Sequence, residues 1–298
     1  MIVAPRLEHP ARRIGDREID FSRRFAVMAI VNRTPDSFYD HGTTYALDAA
    51  VAAGRAAFAA GADLVDVGGV KFAPGPALPV DEEIERVIPV VRELAPFGPV
   101  SVDTFEPRVA EAAIAAGAAV INDTTGVHDP AMADVVADSD ATLVVAHSLA
   151  VPRTQLPQPR YEDVIGDIAA FLRARVDLAV ARGVPLERII IDPGHDLNKN
   201  TRHSLELTRR LGELAVFGLP LLVALSNKDF IGETLDRDRD ERLAGSLAAA
   251  VFCATQGARL VRVHNVRESV DALRMVETIL GWREPVYMLH NTRPEGND

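Results

Sequence analysis

The stretch FAVMAIVNRTPDSF, residues 25–38, passes directly from an apolar run into a polar turn. Residues 25–31 carry no charged side chain, which is typical of a buried strand covered on both faces. An amide, a guanidinium, a carboxylate and two hydroxyl groups follow within residues 32–37. The junction therefore indicates a core strand that delivers polar groups to its carboxyl end.

The same pattern recurs along the chain, where short apolar runs alternate with longer Ala-, Leu-, Arg- and Glu-rich segments of helical period. The predicted strands are 25–31, 63–67, 99–102, 118–122, 142–147, 188–192, 219–225 and 259–264. The predicted helices cover about 44–60, 80–94, 106–116, 129–138, 161–182, 201–216, 232–256 and 267–280. Strands that are apolar throughout, rather than alternating, favour a parallel sheet.

Eight strand–helix units without a linker predict an α/β fold of the (β/α)8 TIM-barrel type. A doubly wound open sheet is the alternative, but it usually has a glycine-rich turn after its first strand, and residues 32–38 lack one. The barrel is predicted to occupy residues 25–283. A Gly-Asp turn within residues 1–24 predicts a short N-terminal hairpin on the barrel floor, and residues 284–298 form a C-terminal tail without periodicity.

Composition narrows the class of protein. The chain has 298 residues, a net charge of −11 and no Lys/Arg-rich run, which argues against nucleic acid or an anionic membrane as the main partner. The single cysteine, Cys253, excludes an intrachain disulfide and a zinc cluster built on thiolates. No apolar run reaches membrane-spanning length, and the charged N-terminal segment lacks the apolar core of a signal peptide, so a cytoplasmic location is predicted.

Polar residues end nearly every predicted strand, and active sites of such barrels lie at the carboxyl ends of the strands. A turn or helix-capping role is the simpler explanation for Asp123 and Asp66. That explanation fits Asp103 and Asp192 poorly, because they lie directly at strand ends in SVDT and IDPG. The full set is Asn32, Asp66, Asp103, Asn122 with Asp123, His147, Asp192, Ser226 to Lys228, and Arg262 with His264.

Lysine is rare in this chain. It occurs only at Lys71, Lys199 and Lys228, each in a loop after a predicted strand, so all three are expected on the ligand-binding face. Carboxylates and an amide facing into a pocket suit a flat heterocycle with an amidine-like edge, because two ring N–H groups can meet one carboxylate side by side. Cations at the rim suit a phosphate or diphosphate, with Mg²⁺ as the expected cofactor.

Simpler explanations are preferred for several other residues. His9, His41, His203 and His290 are expected on the surface, and His195 is expected to be solvated. His147 ends a strand and is expected near the pocket rim. The charged segment LDRDRDERL, residues 235–243, is expected to form a solvated helix face.

Seven motifs occur in one order between residues 29 and 264. They are NRTPDSF, VDVGG, SVDT, INDTTG, IDPG, LLVALSNK and VRVH. Together they resemble the ordered motifs of the dihydropteroate synthase family, a homodimeric (β/α)8 enzyme of folate synthesis. That family condenses 6-hydroxymethyl-7,8-dihydropterin diphosphate with p-aminobenzoate and releases diphosphate.

The resemblance implies roles for individual residues. Asp103, Asn122, Asp192 and Lys228 would bind the pterin, and Lys228 and Asp103 are the catalytic candidates. The diphosphate would be bound by Asn32, Arg262 and His264, with Asn32 close to Mg²⁺.

The departures from the family pattern cluster in the loops. After the second predicted strand the family usually has Gly-Glu-Ser-Thr-Arg-Pro-Gly, whereas this chain has GVKFAPG at residues 69–75. After the sixth, Asp196 and Leu197 stand where the family has glycine and phenylalanine. In the first loop a small apolar residue is replaced by arginine, and after the seventh strand an arginine is replaced by asparagine. The resulting second-substrate rim consists of Arg33, Lys71, Phe72, Ser226 and Asn227.

The intact pterin residues and the rebuilt rim predict a divergent homologue that binds a pterin diphosphate but condenses it with p-aminobenzoate weakly or not at all. One alternative is an active synthase in which Arg33 or Lys71 compensates for the lost arginine. A pterin-barrel methyltransferase is a second alternative, although TPDSF, the RVH ending and the lack of a corrinoid-binding segment speak against it. A non-catalytic binding protein is the third.

Overall fold

The computed structural model describes residues 5–32, 47–70, 75, 78–150, 154 and 158–291. The predictions for Arg33, Lys71 and Phe72 concern residues outside these ranges, as does the surface position predicted for His41. In the described part of the chain, no helix is both long enough and apolar enough to cross a membrane.

A short antiparallel hairpin precedes the barrel, as predicted. Strands β1 (Ala11–Ile14) and β2 (Arg17–Asp20) pair through a turn at Gly15, whose φ of +60° favours glycine. Ile14 and Ile19 are buried against the lower interior of the barrel, in a cluster with residues such as Met28. The hairpin therefore closes the N-terminal end of the barrel.

Eight parallel strands then close on themselves: each pairs with the next along the chain, and the last pairs with the first. The predicted (β/α)8 TIM barrel is confirmed, and the open-sheet alternative is wrong. The strands are β3 (Ala26–Asn32), β4 (Leu64–Gly68), β5 (Val100–Asp103), β6 (Val120–Asp123), β7 (Thr142–Ala146), β8 (Ile189–Asp192), β9 (Leu221–Val223) and β10 (Ala258–Val263).

Helices cover the outside of the barrel, and the main apolar core lies between them and the strands. This arrangement explains why the strands are apolar throughout, since both faces are buried. The helices are α1 (Leu47–Ala59), α2 (Val80–Leu94), α3 (Pro107–Ala115), α4 (Ala131–Ala137), α5 (Val164–Ala181), α6 (Thr201–Arg210), α7 (Asp229–Leu235), α8 (Leu243–Thr255) and α9 (Val266–Ile279).

One predicted helix is wrong. Residues 232–256 form the end of α7 and the whole of α8, and the segment 235–243 is a break between the two helices rather than a helix face. Asp236 ends α7 in the left-handed region, and the Asp238 side chain and Glu241 form a capping box around a short 3-10 turn. Aspartate side chains compete with helical hydrogen bonds in this way, so the acidic run interrupts the helix.

The parallel register brings the strand ends to one level. Asn32 pairs with Gly68, Gly68 with Asp103, and Asp103 with Asn122, in successive neighbouring strands. Asp192 pairs with the last residue of β7 in the same way. The residues that end the strands therefore surround one mouth of the barrel.

Candidate functional site at the barrel mouth

Arg262 of β10 joins two carboxylates across the barrel. Its Nε lies 2.6 Å from Oδ2 of Asp66, and its Nη2 lies 3.0 Å from Oδ2 of Asp103. Asp66 also accepts hydrogen bonds from Ser101 Oγ at 2.5 Å and from Asn122 Nδ2 at 3.3 Å. These groups form one connected polar network in the barrel interior, and Asp66 is fully buried within it.

The turn or capping role preferred for Asp66 is wrong, because its side chain belongs to this network. The sequence placed Asp66 among the polar residues at the strand ends but assigned it no ligand, although its position inside an apolar run indicated burial. In β4 it pairs with Ser101, which donates to it. Asp123 does shape a turn: its carboxylate accepts from the N–H groups of Thr125 and Val127.

The network sets the ionisation of its members. Burial raises the pKa of Asp103 to about 7, against the opposing effect of the Arg262 charge and with a smaller contribution from Asp66. Burial by itself lowers the pKa of Arg262, but the charges of Asp66 and Asp103 have a larger combined effect, so the pKa of Arg262 is raised. Asp103 is therefore a carboxyl group that can hold or release a proton near neutral pH beside a permanent cation.

Asn122, Asp192 and Lys228 supply the remaining groups that were assigned to the pterin. The Oδ1 atom of Asn122 is buried and has no hydrogen-bond partner among the residues described. Burial raises the pKa of Asp192, while the hydrogen bond from the Gly194 N–H and the charge of Lys228 oppose that effect. The Lys228 side chain is half-buried and makes no hydrogen bond or ion pair within the described ranges. Within the described part of the chain, the pocket thus offers an acceptor without a partner, a carboxylate and an ammonium.

The residues assigned to the diphosphate and the rim have different surroundings. His264 lies beside Ser226, whose Oγ is 3.2 Å from the His264 backbone nitrogen and 3.2 Å from its Nδ1. Asn227 is buried, and its N–H donates to Ser246 Oγ of α8 at 3.0 Å. The backbone of Asn32 ends β3 at the mouth. Arg262 uses its Nε and Nη2 atoms for the two carboxylates.

Lys199 is enclosed by its own loop. Its Nζ lies 2.9 Å from His147 Nδ1, 2.8 Å from the Gly194 carbonyl oxygen and 3.2 Å from that of Leu197. Burial lowers its pKa to about 7. Three acceptors around one nitrogen nevertheless match the three N–H donors of an ammonium, so Lys199 ties this loop to the end of β7 rather than reaching into the pocket.

Two histidines are buried in the same region. His195 is 1% exposed, so the expectation that it is solvated is wrong, and His147 is fully buried. Burial lowers the pKa of His195 to about 3 and that of His147 to about 2, and the charge of Lys199 adds to both effects. Both imidazoles are therefore neutral near pH 7.

Replacing His195 by Phe should reduce the loss of stability in acid. Because the folded pKa is about 3, the unfolded chain alone takes up this proton as the pH falls below about 6.5. Relative to the parent, His195→Phe should therefore gain about 1.4 kcal/mol per pH unit below 6.5. Urea denaturation between pH 7 and 5 measures this difference.

The variant must be compared with the parent because Asp103 affects stability in the opposite direction. Its raised pKa favours the folded state as the pH falls from about 7 to 3.8. His9→Phe is the control, because it removes an exposed histidine instead of a buried one. Parallel profiles for His195→Phe would contradict the prediction.

The mouth of this closed (β/α)8 barrel carries carboxylates, an amide and an ammonium, which are groups suited to binding a small polar molecule. The chain belongs to the pterin binding enzyme family, whose model matches residues 28–264. The prediction of a dihydropteroate synthase homologue is confirmed by this match and by the similarities below.

Three comparisons show the range of relatives. The chain is 48% identical over 270 residues to "Inactive dihydropteroate synthase 2" of Mycobacterium tuberculosis, covering 88% of this chain and 85% of that protein. It is 40% identical over 261 residues to dihydropteroate synthase of Escherichia coli, covering 87% and 93%. The structure of Xanthomonas albilineans dihydropteroate synthase with 4-aminobenzoic acid aligns with a TM-score of 0.83 at 41% identity, over 91% of this chain and 98% of that one.

Proposed function

We propose that the protein binds a pterin diphosphate at the carboxyl mouth of the barrel and condenses it with p-aminobenzoate weakly or not at all. The observation that supports the proposal is that Asp103, Asn122 and Asp192 end strands at one mouth of the barrel, where the Lys228 charge acts on Asp192. Position 227, beside Lys228, carries asparagine where the family pattern has arginine. The name of the M. tuberculosis relative, an inactive synthase, is consistent with binding of the pterin without efficient condensation.

Each floor residue has a chemical role in holding the ring. The carboxylate of Asp192 accepts from two neighbouring N–H groups of the pterin edge, as a carboxylate does from a guanidinium-like donor. The Oδ1 atom of Asn122, which has no partner among the described residues, accepts a further ring N–H, and Lys228 donates to the ring carbonyl oxygen. Asp103, whose pKa is raised to about 7, exchanges a proton with a ring nitrogen near neutral pH.

The rim explains the weak second step. In the family pattern the residue before Lys228 is an arginine, whereas here Asn227 is buried and hydrogen-bonded to Ser246 of α8. A lost charge-assisted contact costs about 1.5–3 kcal/mol, or roughly tenfold to a hundredfold in binding or rate. Several such losses in one wall are enough to remove the reaction with p-aminobenzoate.

Mg²⁺, if it takes part, would be bound mainly by the substrate. No three His, Cys, Asp or Glu side chains gather into a metal-binding group within the described part of the chain. Mg²⁺ commonly takes one or two protein ligands together with substrate phosphate oxygens. Asn32, at the end of β3, would supply the protein ligand, and the ion would neutralise the charge of the departing diphosphate.

We also propose a cytoplasmic homodimer that forms through the last helices. Met275 and Ile279 of α9 are exposed, and so is the apolar run Val286 to Leu289 in the tail. Exposed apolar patches mark protein–protein contacts, and these side chains would supply the apolar surface that the proposed interface buries. Light scattering on the full chain should give twice the monomer mass, and a monomer at all concentrations would contradict the proposal.

A turnover assay tests whether the protein condenses the pterin diphosphate with p-aminobenzoate. The full chain is mixed with the pterin diphosphate, Mg²⁺ and p-aminobenzoate, and both dihydropteroate and released diphosphate are measured beside the E. coli enzyme. We expect a rate at least about a hundredfold lower than that of the E. coli enzyme. Ordinary turnover would overturn the proposal and favour the compensated synthase, in which case Arg33→Val should abolish the activity.

A further inference from the structure

The loop after β8 holds two residues in an unusual backbone conformation. Asp196 has a φ of +62° and Asn198 a φ of +50°, both in the left-handed region. Glycine adopts this region freely, whereas other residues do so at a cost in free energy. The family pattern has glycine at position 196, whereas this chain has an aspartate in a strained conformation. The hydrogen bonds of the Asp196 side chain indicate the role of this substitution.

The Asp196 carboxylate caps a neighbouring helix. Its Oδ2 accepts from the N–H of Asp229 at 2.8 Å and from that of Phe230 at 3.4 Å, and its Oδ1 accepts from Ser204 Oγ at 2.8 Å. Asp229 and Phe230 open α7, whose N-cap residue, Lys228, provides no side-chain cap. The capping oxygen thus comes from another loop and satisfies N–H groups that the helix itself cannot.

The position of Lys228 depends on this backbone. Its ammonium makes no hydrogen bond or ion pair with any residue that the structure describes, yet its charge acts on the carboxyl group of Asp192 and on His195. A long side chain without its own partners is placed by the main chain that carries it. The hydrogen bonds at Asp229 and Phe230 immediately follow that residue.

We propose that Asp196 is a positioning residue for Lys228. By holding the first turn of α7, its carboxylate fixes the point from which the Lys228 ammonium reaches the pterin. The identity of the ligand in this inference rests on the proposed function, whereas the contact between Asp196 and α7 does not.

Asn198 provides a matched comparison in the same loop. Its Oδ1 accepts from Ser148 Oγ at 2.7 Å and from the N–H groups of Leu149 and Ala150 at 3.1 and 3.0 Å. It therefore also has a positive φ and three accepted hydrogen bonds, but it ties down the loop after β7 instead of α7. A variant at Asn198 loosens the same loop without touching the Lys228 backbone.

The experiment compares Asp196→Gly, Asn198→Gly and Asp196→Asn in the full chain. Glycine tolerates the positive φ at both sites, so each glycine variant removes a side chain without adding strain. Calorimetry with 6-hydroxymethyl-7,8-dihydropterin diphosphate should give a Kd about tenfold higher for Asp196→Gly and an unchanged Kd for Asn198→Gly. Asp196→Asn keeps an acceptor for α7 and should restore the Kd to within about threefold of the parent value.

Amide hydrogen exchange gives a readout that needs no ligand. Exchange at Asp229 and Phe230 should accelerate in Asp196→Gly and stay at the parent rate in Asn198→Gly. An unchanged Kd and unchanged exchange in Asp196→Gly would overturn the inference, as would equal losses of affinity in both glycine variants. A parent protein that binds no pterin would overturn the proposed function instead, and the exchange rates would still decide whether Asp196 holds α7.

Discussion

Replacing Arg262 by Met is expected to destabilise the protein by about 3–5 kcal/mol at neutral pH. The substitution leaves the carboxylates of Asp66 and Asp103 buried without the cation that they share at 2.6 and 3.0 Å. Removing one partner of a buried ion pair costs far more than the pair contributes, because an uncompensated charge stays inside the fold. Urea denaturation of the parent and of Arg262→Met at pH 7 measures the difference.

The pH dependence gives this prediction a second check. Arg262 lowers the pKa of Asp103, so its removal raises that pKa further above the unfolded value. The folded variant then binds more protons than the unfolded chain, and its stability should recover as the pH falls from 7 toward 4. The control is a triple variant that adds Asp66→Asn and Asp103→Asn to Arg262→Met. It should lose less stability than Arg262→Met alone, because no buried carboxylate is left without its cation. A loss below about 1 kcal/mol, or one independent of pH, would contradict the network described here.

Asp192→Asn is expected to weaken the binding of the pterin diphosphate about tenfold to a hundredfold. In the proposed complex the carboxylate accepts from two N–H groups of the pterin edge, whereas the amide would accept from only one of them. The fold should be little affected, because Asn can still accept the hydrogen bond that Gly194 donates to Oδ1 at 2.7 Å. Calorimetric titration of parent and variant gives the ratio of the two Kd values.

Asp123→Asn is the matched control for this experiment. Asp123 is also a buried carboxylate at the end of a strand, but its oxygens accept from Thr125 and Val127 within its own turn. This variant should lose stability and keep its affinity for the pterin diphosphate. If Asp192→Asn binds as tightly as the parent, or if both variants lose affinity equally, the pterin floor is not where it is placed here.

The fold and the level of the strand ends follow from local patterns in the sequence. Runs such as residues 25–31 are apolar throughout, and this local composition alone predicts strands of a parallel sheet that is covered on both faces. Asp103 and Asp192 were identifiable because each stands at the end of such a run. These features depend on a few adjacent residues, which is why the sequence was sufficient.

The partners of the site residues depend on the closed barrel and could not be predicted in the same way. Arg262 and Asp66 are 196 positions apart, and they meet only because β10, β3 and β4 are successive neighbours in the barrel. The burial of His195 likewise results from packing against Phe230 of α7, with ring centroids 6.2 Å apart. A residue's neighbours across such distances follow from topology rather than from local pattern.

The substitutions in the loop after β8 show how a site can be rebuilt while its floor is kept. Asp196 and Asn198 stand in conformations that favour glycine, and each accepts hydrogen bonds from an adjacent loop or helix. The neighbouring loops are thereby fixed to one another around Asp192 and Lys228. Under the proposed function, these contacts would hold the pterin residues in place even where the second-substrate rim has changed.

Equilibrium binding tests the central claim most directly. Titrating the full chain with 6-hydroxymethyl-7,8-dihydropterin diphosphate and Mg²⁺ in a calorimeter should give saturable binding of one ligand per chain, with or without p-aminobenzoate. A correctly folded protein that gives no heat of binding at millimolar ligand, confirmed by an unchanged melting temperature, would contradict the assignment of the barrel mouth to a pterin.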